Sequence, residues 1–370
     1  MIHFDFERLQ SMGLNAAVTL QAALQDKPTD AAHEAGSTEP ALHLMRLTEL
    51  HRETVHVHDG HAERSARVLP RLMRQLEQSD TALAVGDWVL VSLEPDGSCW
   101  VRQRVPPQTH LVRRDADGRR HPVVSNVDTA LLVMGLDDDF NLRRLERFIA
   151  LVQGTGVQPV VVLSKADAVR DAPTLYARQQ SVRARIPVQM ELFSVDARDP
   201  DTALRLAPLA RPGQTLVLLG SSGAGKSTLT NTLLGQALQD TGAVREHDSR
   251  GKHTTTARSL FRLPGGACII DTPGLRALRP DADESTVAAT FSDIAGLALQ
   301  CRFRDCRHQD EPGCRVREVV DEDRLRNFHK LLREARRDTM TVLERQQQMA
   351  VWKARGRAGR MRLKMKRDEL

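Results

Sequence analysis

Residues 220 to 227 read Gly, Ser, Ser, Gly, Ala, Gly, Lys, Ser, the pattern G-x-x-x-x-G-K-[ST] of a phosphate-binding loop. The chemistry of such a loop is polyphosphate chemistry. Gly220, Gly223 and Gly225 let consecutive backbone N–H groups turn inward around an anionic chain, and a helix opening at Lys226 adds the positive end of its dipole. Lys226 is expected to reach the β- and γ-phosphates and to act catalytically there, while the Ser227 hydroxyl holds Mg²⁺. Ser221, Ser222, Ala224 and Thr228 complete the stretch expected against the nucleotide. The context agrees. An apolar, strand-like run at 215–219 leads in, and Leu229, Leu233 and Leu234 follow at helical spacing until Gly235.

A second strand-like run, residues 159–163, ends in Ser164, Lys165, Ala166 and Asp167. This resembles the guanine-reading N/T-K-x-D loop of GTPases, with Ser164 where Asn is usual. The Asp167 carboxylate would accept hydrogen bonds from guanine N1–H and the exocyclic amine, which rejects adenine through unpaired donors and acceptors. A third strand-like piece, 188–193, ends at Ser194 and resembles the loop whose backbone supports guanine O6. Beyond the phosphate loop, residues 267–270 run into Asp271, Thr272, Pro273 and Gly274, a D-x-P-G switch. There Asp271 would stand near Mg²⁺ and the Gly274 N–H on the γ-phosphate. The intervening loop carries Thr254, Thr255 and Thr256, and one of them, with Thr255 as the chosen candidate, adds a Mg²⁺ ligand. Leu275 occupies the place where many such enzymes carry a water-orienting Gln, and leucine cannot hold water. His253 is therefore the candidate catalytic group that positions or deprotonates water. Slow unaided conversion of GTP to GDP follows from this reading.

Taken along the chain, the order is base loop, base-support loop, phosphate loop, Thr switch, D-T-P-G switch. Ordinary GTPases place the phosphate loop first. The rotated order predicts a circularly permuted, mostly parallel α/β sheet, because nucleotide contacts depend on which loops crown the strands' carboxyl ends and not on where the termini fall. Whatever follows Gly274 is tied closely to a γ-phosphate-sensing loop.

Cys301, Cys306, His308 and Cys314 fall within fourteen residues. Three thiolates and an imidazole suffice to close a tetrahedral site with no open position, so the expectation is one structural Zn²⁺ per chain. Cys99 and Cys268 stand alone in strand-like runs and read as small core residues.

The elements that must position these residues emerge from the patterning. Short β-like runs around 54–58, 85–91 and 100–101, separated by turns, predict a small barrel of oligonucleotide-binding type, with Trp88 and Trp100 divided between core and base stacking. From 126 onward strands alternate with helices, including an apolar face at 142, 145, 148, 149 and 152. At 370 residues the chain should hold several domains. The expected layout is an extension over 1–41 (partly disordered), a barrel over 42–120, a GTPase domain over 121–280, an α-rich zinc domain over 281–345 and a basic tail over 346–370. Net charge is +5, and the excess is clustered: residues 351–367 carry eight Lys or Arg and no acid. Arg324, Arg326, Lys330, Arg333, Arg336 and Arg337 form a second basic stretch at helical spacing. Such clusters are an electrostatic footprint for a phosphodiester backbone. Neither a secretory leader nor an apolar run of membrane-spanning length is recognisable, so a cytoplasmic protein with no membrane partner, acting as a monomer, is expected.

The rotated loops, the Cys/His spacing and the preceding β-rich region with its Val85-Gly86-Asp87-Trp88 segment together resemble the bacterial ribosome small-subunit-dependent GTPase A family. The resemblance runs over roughly residues 42–340. It implies an oligonucleotide-binding-type barrel, a circularly permuted GTPase domain and a C-terminal zinc domain. It also implies late maturation of the small ribosomal subunit, contact with 16S rRNA, and GTP hydrolysis stimulated by that particle. Ser164 for Asn, Phe328 for Tyr and the N-terminal extension depart from the family pattern. An rRNA-binding scaffold with nucleotide as a passive structural ligand is the alternative reading. An ATP-using phosphotransferase on the same loop is a further one, opposed by Asp167.

Overall fold

The structure is a computed structural model describing residues 2–25, 41–115, 117–236, 258–272 and 279–339. The chain divides into two compact units, Met1–Pro280 and Asp281–Leu370.

The first unit opens with a short strand β1 (Ile2–His3) and helices α1 (Phe6–Gln10) and α2 (Ala16–Leu24), capped by the side chains of Asp5 and Asn15. Leu9, Met12, Leu14, Val18 and Ala22 are buried in the core that continues into the barrel and the sheet. The described part of the N-terminal segment is thus packed structure. Residues 26–40 of the expected N-terminal extension lie outside the described residues.

Next come β2 (Leu42–Leu50), β3 (Val55–His58), β4 (Glu63–Val68), α3 (Pro70–Gln78), β5 (Trp88–Leu93) and β6 (Cys99–Arg104). Pairing runs β2-β3-β4-β6-β5 and back to β2, which closes five strands into a barrel with no free edge. Trp88 is fully buried inside it, whereas Trp100 remains partly exposed with the Arg67 guanidinium 5.9 Å from its ring. A hairpin of β7 (His110–Arg114) and β8 (Arg120–Ser125) follows.

The sheet then assembles from β9 (Thr129–Gly135), α4 (Leu142–Val152), β10 (Gln158–Ser164), α5 (Ala172–Arg183), β11 (Leu192–Ser194), α6 (Asp201–Leu206), β12 (Thr215–Leu219), α7 (Lys226–Leu234), β13 (Ser259–Arg262) and β14 (Cys268–Asp271). Strand order is β11-β10-β9-β12-β14-β13, with β13 alone antiparallel before the path continues into β2 of the barrel. The strands are apolar throughout because both faces are covered. Ala130, Leu132 and Met134 pack on one side with the N-terminal helices and α4; Leu131 and Val133 pack on the other with α7. β11 is shorter than the apolar run at 188–193 suggests, and Val188 is almost wholly exposed before it.

The barrel is joined to the sheet by buried polar contacts. Arg46 on β2 is fully buried, donating to the carbonyls of Met12 (3.2 Å) and Asn126 (2.9 Å), with its guanidinium 4.9 Å from the Trp88 ring. Gly86 is obligatory beside it, since a Cβ there would stand 2.2 Å from the Ser125 carbonyl oxygen and its φ is +92°.

The second unit contains α8 (Glu284–Thr290), α9 (Ser292–Ala298), α10 (Arg315–Val319) and α11 (Glu322–Thr339) around a small core of Val287, Phe291, Ile294, Val316, Phe328 and Leu331. Arg324 is buried, forked onto Asp293 at 2.7 and 3.0 Å, so it braces the unit and is withdrawn from any phosphate-binding role. Phe328 meets Phe291 edge-on at 5.4 Å, a ring contact that needs no hydroxyl.

Candidate functional site

In the first unit β9 connects to β10 and β11 on one side while β12 and β14 lie on its other side, so the chain reverses direction across the sheet between β9 and β12. In an open α/β sheet that switch point, outside the strands' carboxyl ends, is where ligands bind. The strand ends found there carry Gly135, Ser164, Ser194, Leu219 and Asp271. Their alignment follows from register, with Ser164 opposite Gly135, Leu163 opposite Ser194 and Leu218 opposite Asp271.

The phosphate loop turns between β12 and α7. Gly223 and Gly225 take φ of +81° and +88°, and a Cβ on Gly220 would stand 2.4 Å from the Val133 carbonyl oxygen. Lys226 is buried, its ammonium donating to the carbonyls of Ser221 (2.7 Å) and Gly220 (3.1 Å). Burial pushes its pKa down from the ordinary amine value, against the pull of Asp271 and Asp139. Ser227 Oγ donates to Asp271 Oδ2 at 3.3 Å. Burial pushes the Asp271 carboxyl up, opposed by Lys226 and Ser227. Asp271 Oδ1 is buried without a hydrogen-bond partner among the described residues. An orphaned carboxylate oxygen beside a hydroxyl is a hard-oxygen pair that fits a cation such as Mg²⁺. Ser222 and Gly223 are exposed, whereas Ser221 and Ala224 are buried in the loop wall.

Ser164 is buried and its hydroxyl donates to the Ala224 carbonyl at 2.6 Å. It thereby ties the base loop to the phosphate loop across sixty residues of chain. Lys165 sits at φ +57°, and its ammonium pairs with Asp137 at 2.6 Å. Ala166 N–H donates to the Val195 carbonyl at 3.1 Å, joining the base loop to the loop after β11. A cavity of about 280 Å³ lies among Lys165, Asp167, Ala168, Asp196, Ala197, Arg198, Gly225 and Thr228. Ser194 itself is turned away, its hydroxyl accepting from Gln179 at 2.9 Å. Asp167 faces Arg198 at 2.5 Å, and Arg198 also reaches Asp196 at 3.4 Å.

Three members of the site are invisible to motif reading. Arg198 covers Asp167, Asp137 anchors Lys165, and Asp139 accepts from Ser221 Oγ at 2.5 Å while pairing with Arg144 at 2.6 Å. The available signal was an acidic run, residues 137–139, immediately after a strand that the topology places at the switch point. His253, Thr255 and Gly274, with Leu275, lie outside the described residues.

In the second unit Cys301, Cys306, His308 and Cys314 bring their ligand atoms within 4.8 Å of one another. Cys301 Sγ is 4.0 Å from Cys314 Sγ, and His308 Nδ1 is 3.7 and 3.5 Å from those two sulfurs. A tetrahedron with bonds of about 2.3 Å has edges near 3.8 Å, so this donor set fits one metal ion. His308 takes φ +58°, and its carbonyl lies 3.2 Å from His329 Nε2. No described helix is long and apolar enough to cross a membrane.

Residues 105–280 match the model of the RsgA GTPase family. A relative from Xanthomonas axonopodis pv. citri is 45% identical over 82% of this chain and 84% of its own length. One from Xanthomonas euvesicatoria pv. vesicatoria is 43% identical over 88% of each. Both are named small ribosomal subunit biogenesis GTPase RsgA. The crystal structure of YjeQ from Thermotoga maritima is 22% identical with a TM-score of 0.57, covering 79% of this chain and 98% of that one. YloQ, described as a circularly permuted GTPase, is 20% identical with a TM-score of 0.55, covering 85% of this chain and all of that one. These two likenesses support the fold already described, a closed barrel followed by a circularly permuted sheet.

Proposed function

The chain belongs to the RsgA GTPase family and hydrolyses GTP, and from that premise we propose that it is a late maturation factor of the small ribosomal subunit whose turnover rises on that particle. The observation that carries the reading is the meeting of the base loop and the phosphate loop through Ser164 Oγ and the Ala224 carbonyl, beside a cavity bearing Asp167.

In this reading Asp167 selects guanine, with Lys165 and Ala166 framing the base and Ser194 acting only through the backbone of its loop. Arg198 must leave Asp167 when the base enters. The amides from Gly220 to Thr228 cradle the phosphates, and the Lys226 ammonium exchanges its two carbonyl partners for phosphate oxygens, which restores charge balance around a buried cation. Ser227 and Asp271, with Thr255, would hold Mg²⁺, which when bound neutralises charge on the β- and γ-phosphates. The Gly274 amide senses the γ-phosphate, and His253 orients the attacking water. Cys301, Cys306, His308 and Cys314 would hold one structural Zn²⁺ per chain, cross-linking the loop between α9 and α10.

Contact with 16S rRNA is supported by α11, where Arg326, Lys330, Arg333 and Arg337 share one exposed face. On the barrel, partly exposed Trp100 beside Arg67 offers a stacking platform. A cytoplasmic monomer fits these partners. The test is steady-state GTP hydrolysis by the full chain with purified small or large ribosomal subunits. Stimulation by the small particle alone is expected, and equal rates in all three conditions would favour a scaffold that holds nucleotide passively.

A further inference from the structure

Where β2 leaves the barrel it pairs with β3 on one side and with β13 of the sheet on the other. Glu49 stands opposite His56 on β3 and opposite Ser259 on β13. His51, the first residue past the end of β2, joins Glu49 and His56 there. The consequence is a cluster in which one carboxylate oxygen and two imidazole nitrogens lie within 4.8 Å of one another. We propose that Glu49, His51 and His56 form a second metal site, taking a borderline transition cation such as Zn²⁺, Co²⁺ or Ni²⁺.

Two of the three donors are held from behind. Glu49 Oε1 accepts from the Ser259 hydroxyl at 2.6 Å, leaving Oε2 3.2 Å from His51 Nε2. His56 Nδ1 is 3.4 Å from Glu63 Oε2, and the other Glu63 oxygen accepts from Thr48 Oγ1 at 2.6 Å. A carboxylate that orients a liganding imidazole is the usual support of a histidine metal site. Two imidazoles and a carboxylate suit zinc-like ions better than Mg²⁺ or Ca²⁺, which prefer all-oxygen shells. Three protein donors leave open positions for water, unlike the closed Cys/His set of the second unit. The site also has an address. Ser259 is the register partner of Asp271 on its other side, so Glu49, Ser259 and Asp271 form one row across three strands. At about 4.8 Å per strand, an ion here sits roughly 10 Å from the carboxylate expected to serve magnesium.

The experiment uses the full, tag-free, metal-stripped chain titrated with Co²⁺ in millimolar Mg²⁺, which occupies oxygen-only sites. Two equivalents are expected, one giving thiolate-to-cobalt absorption in the near ultraviolet and one without it. The double variant His51→Ala, His56→Ala should keep the thiolate band and lose the other equivalent. Glu63→Gln should weaken that equivalent by about 10- to 100-fold. A wild type that saturates at one equivalent, or a double variant that still binds two, overturns the proposal. If circular dichroism shows the double variant misfolded, His51→Ala decides, since that side chain is 44% exposed and its ring contact is with His56, itself a member of the site.

Discussion

The nucleotide pocket and the Cys/His cluster each gather charged or soft side chains around a place for an ion, and they are built in opposite ways. The pocket draws Asp137, Asp167, Arg198, Lys226 and Asp271 from loops spread over more than a third of the chain. Strands buried on both faces bring those loops to one edge of a sheet. The cluster takes its four donors from fourteen consecutive residues that form no long element, beside a small core. One site is positioned by strands that carry a large apolar core of their own. The other, in the reading proposed above, adds the stability of a bound metal to a small core.

That contrast can be broken most severely at Cys306. Cys306→Ser should abolish stoichiometric zinc by elemental analysis and make the region around residues 281–339 protease-sensitive, leaving residues 2–280 resistant. A variant as resistant as wild type would mean that the small core suffices alone. Lys226→Ala should do the reverse. A loss of about 10³-fold in kcat/KM is expected from removing a preorganised cation at the transferring phosphate. Its melting temperature should not fall, because the desolvation of the buried ammonium outweighs the pull of Asp271 and Asp139 on it. A collapsed melting temperature would show the pocket to be as fold-dependent as the cluster.

Arg198→Ala sharpens the pocket's side of the comparison. The Arg198–Asp167 pair is largely exposed and therefore weak, and its removal should tighten GDP binding by up to about fivefold in a fluorescence titration. Weaker binding would show instead that the guanidinium rests on the base. A further prediction concerns the long-range scaffold. His110 accepts or donates at Ser125 Oγ (2.8 Å), and burial, with Arg104 beside it, holds its pKa down to about 4 from 6.5. A base depressed in the folded state stays neutral while the unfolded chain takes up a proton. Its stability contribution is therefore full above pH 6.5 and is lost as pH falls towards 4. The melting temperature should drop over that window, and the drop should be smaller in His110→Gln; identical slopes would remove His110 from the account.

How much of this was legible depended on whether a residue acts through its neighbours in sequence or in space. α4 and β12 fall on the spans their periodicity predicts, because an amphipathic face or an apolar run is a local property. β11 was misjudged in extent, since apolar character at Val188 and Met190 reflects loop packing and exposure rather than pairing. The N-terminal helices were not foreseen as part of the main core, and nothing local announces that Leu9 or Met12 will meet the barrel. Ser164 looked like a weakened Asn until its hydroxyl was found on the Ala224 carbonyl. Arg324 looked like part of a phosphate-binding stretch until its fork closed on Asp293.

The amino-acid order alone marked the phosphate-loop pattern, the candidate guanine loop, the candidate switch and the four soft donors, because each of these needs particular side chains at fixed short spacing, and short spacing is written in the chain. Only the tertiary structure decided that Asp139 supports the phosphate loop, that Arg198 covers Asp167, that Arg46 locks barrel to sheet and that Glu49 faces His51 and His56. Those relations depend on which strands pair and in what register, and pairing is settled by burial summed over the whole sheet rather than by any residue's immediate neighbours.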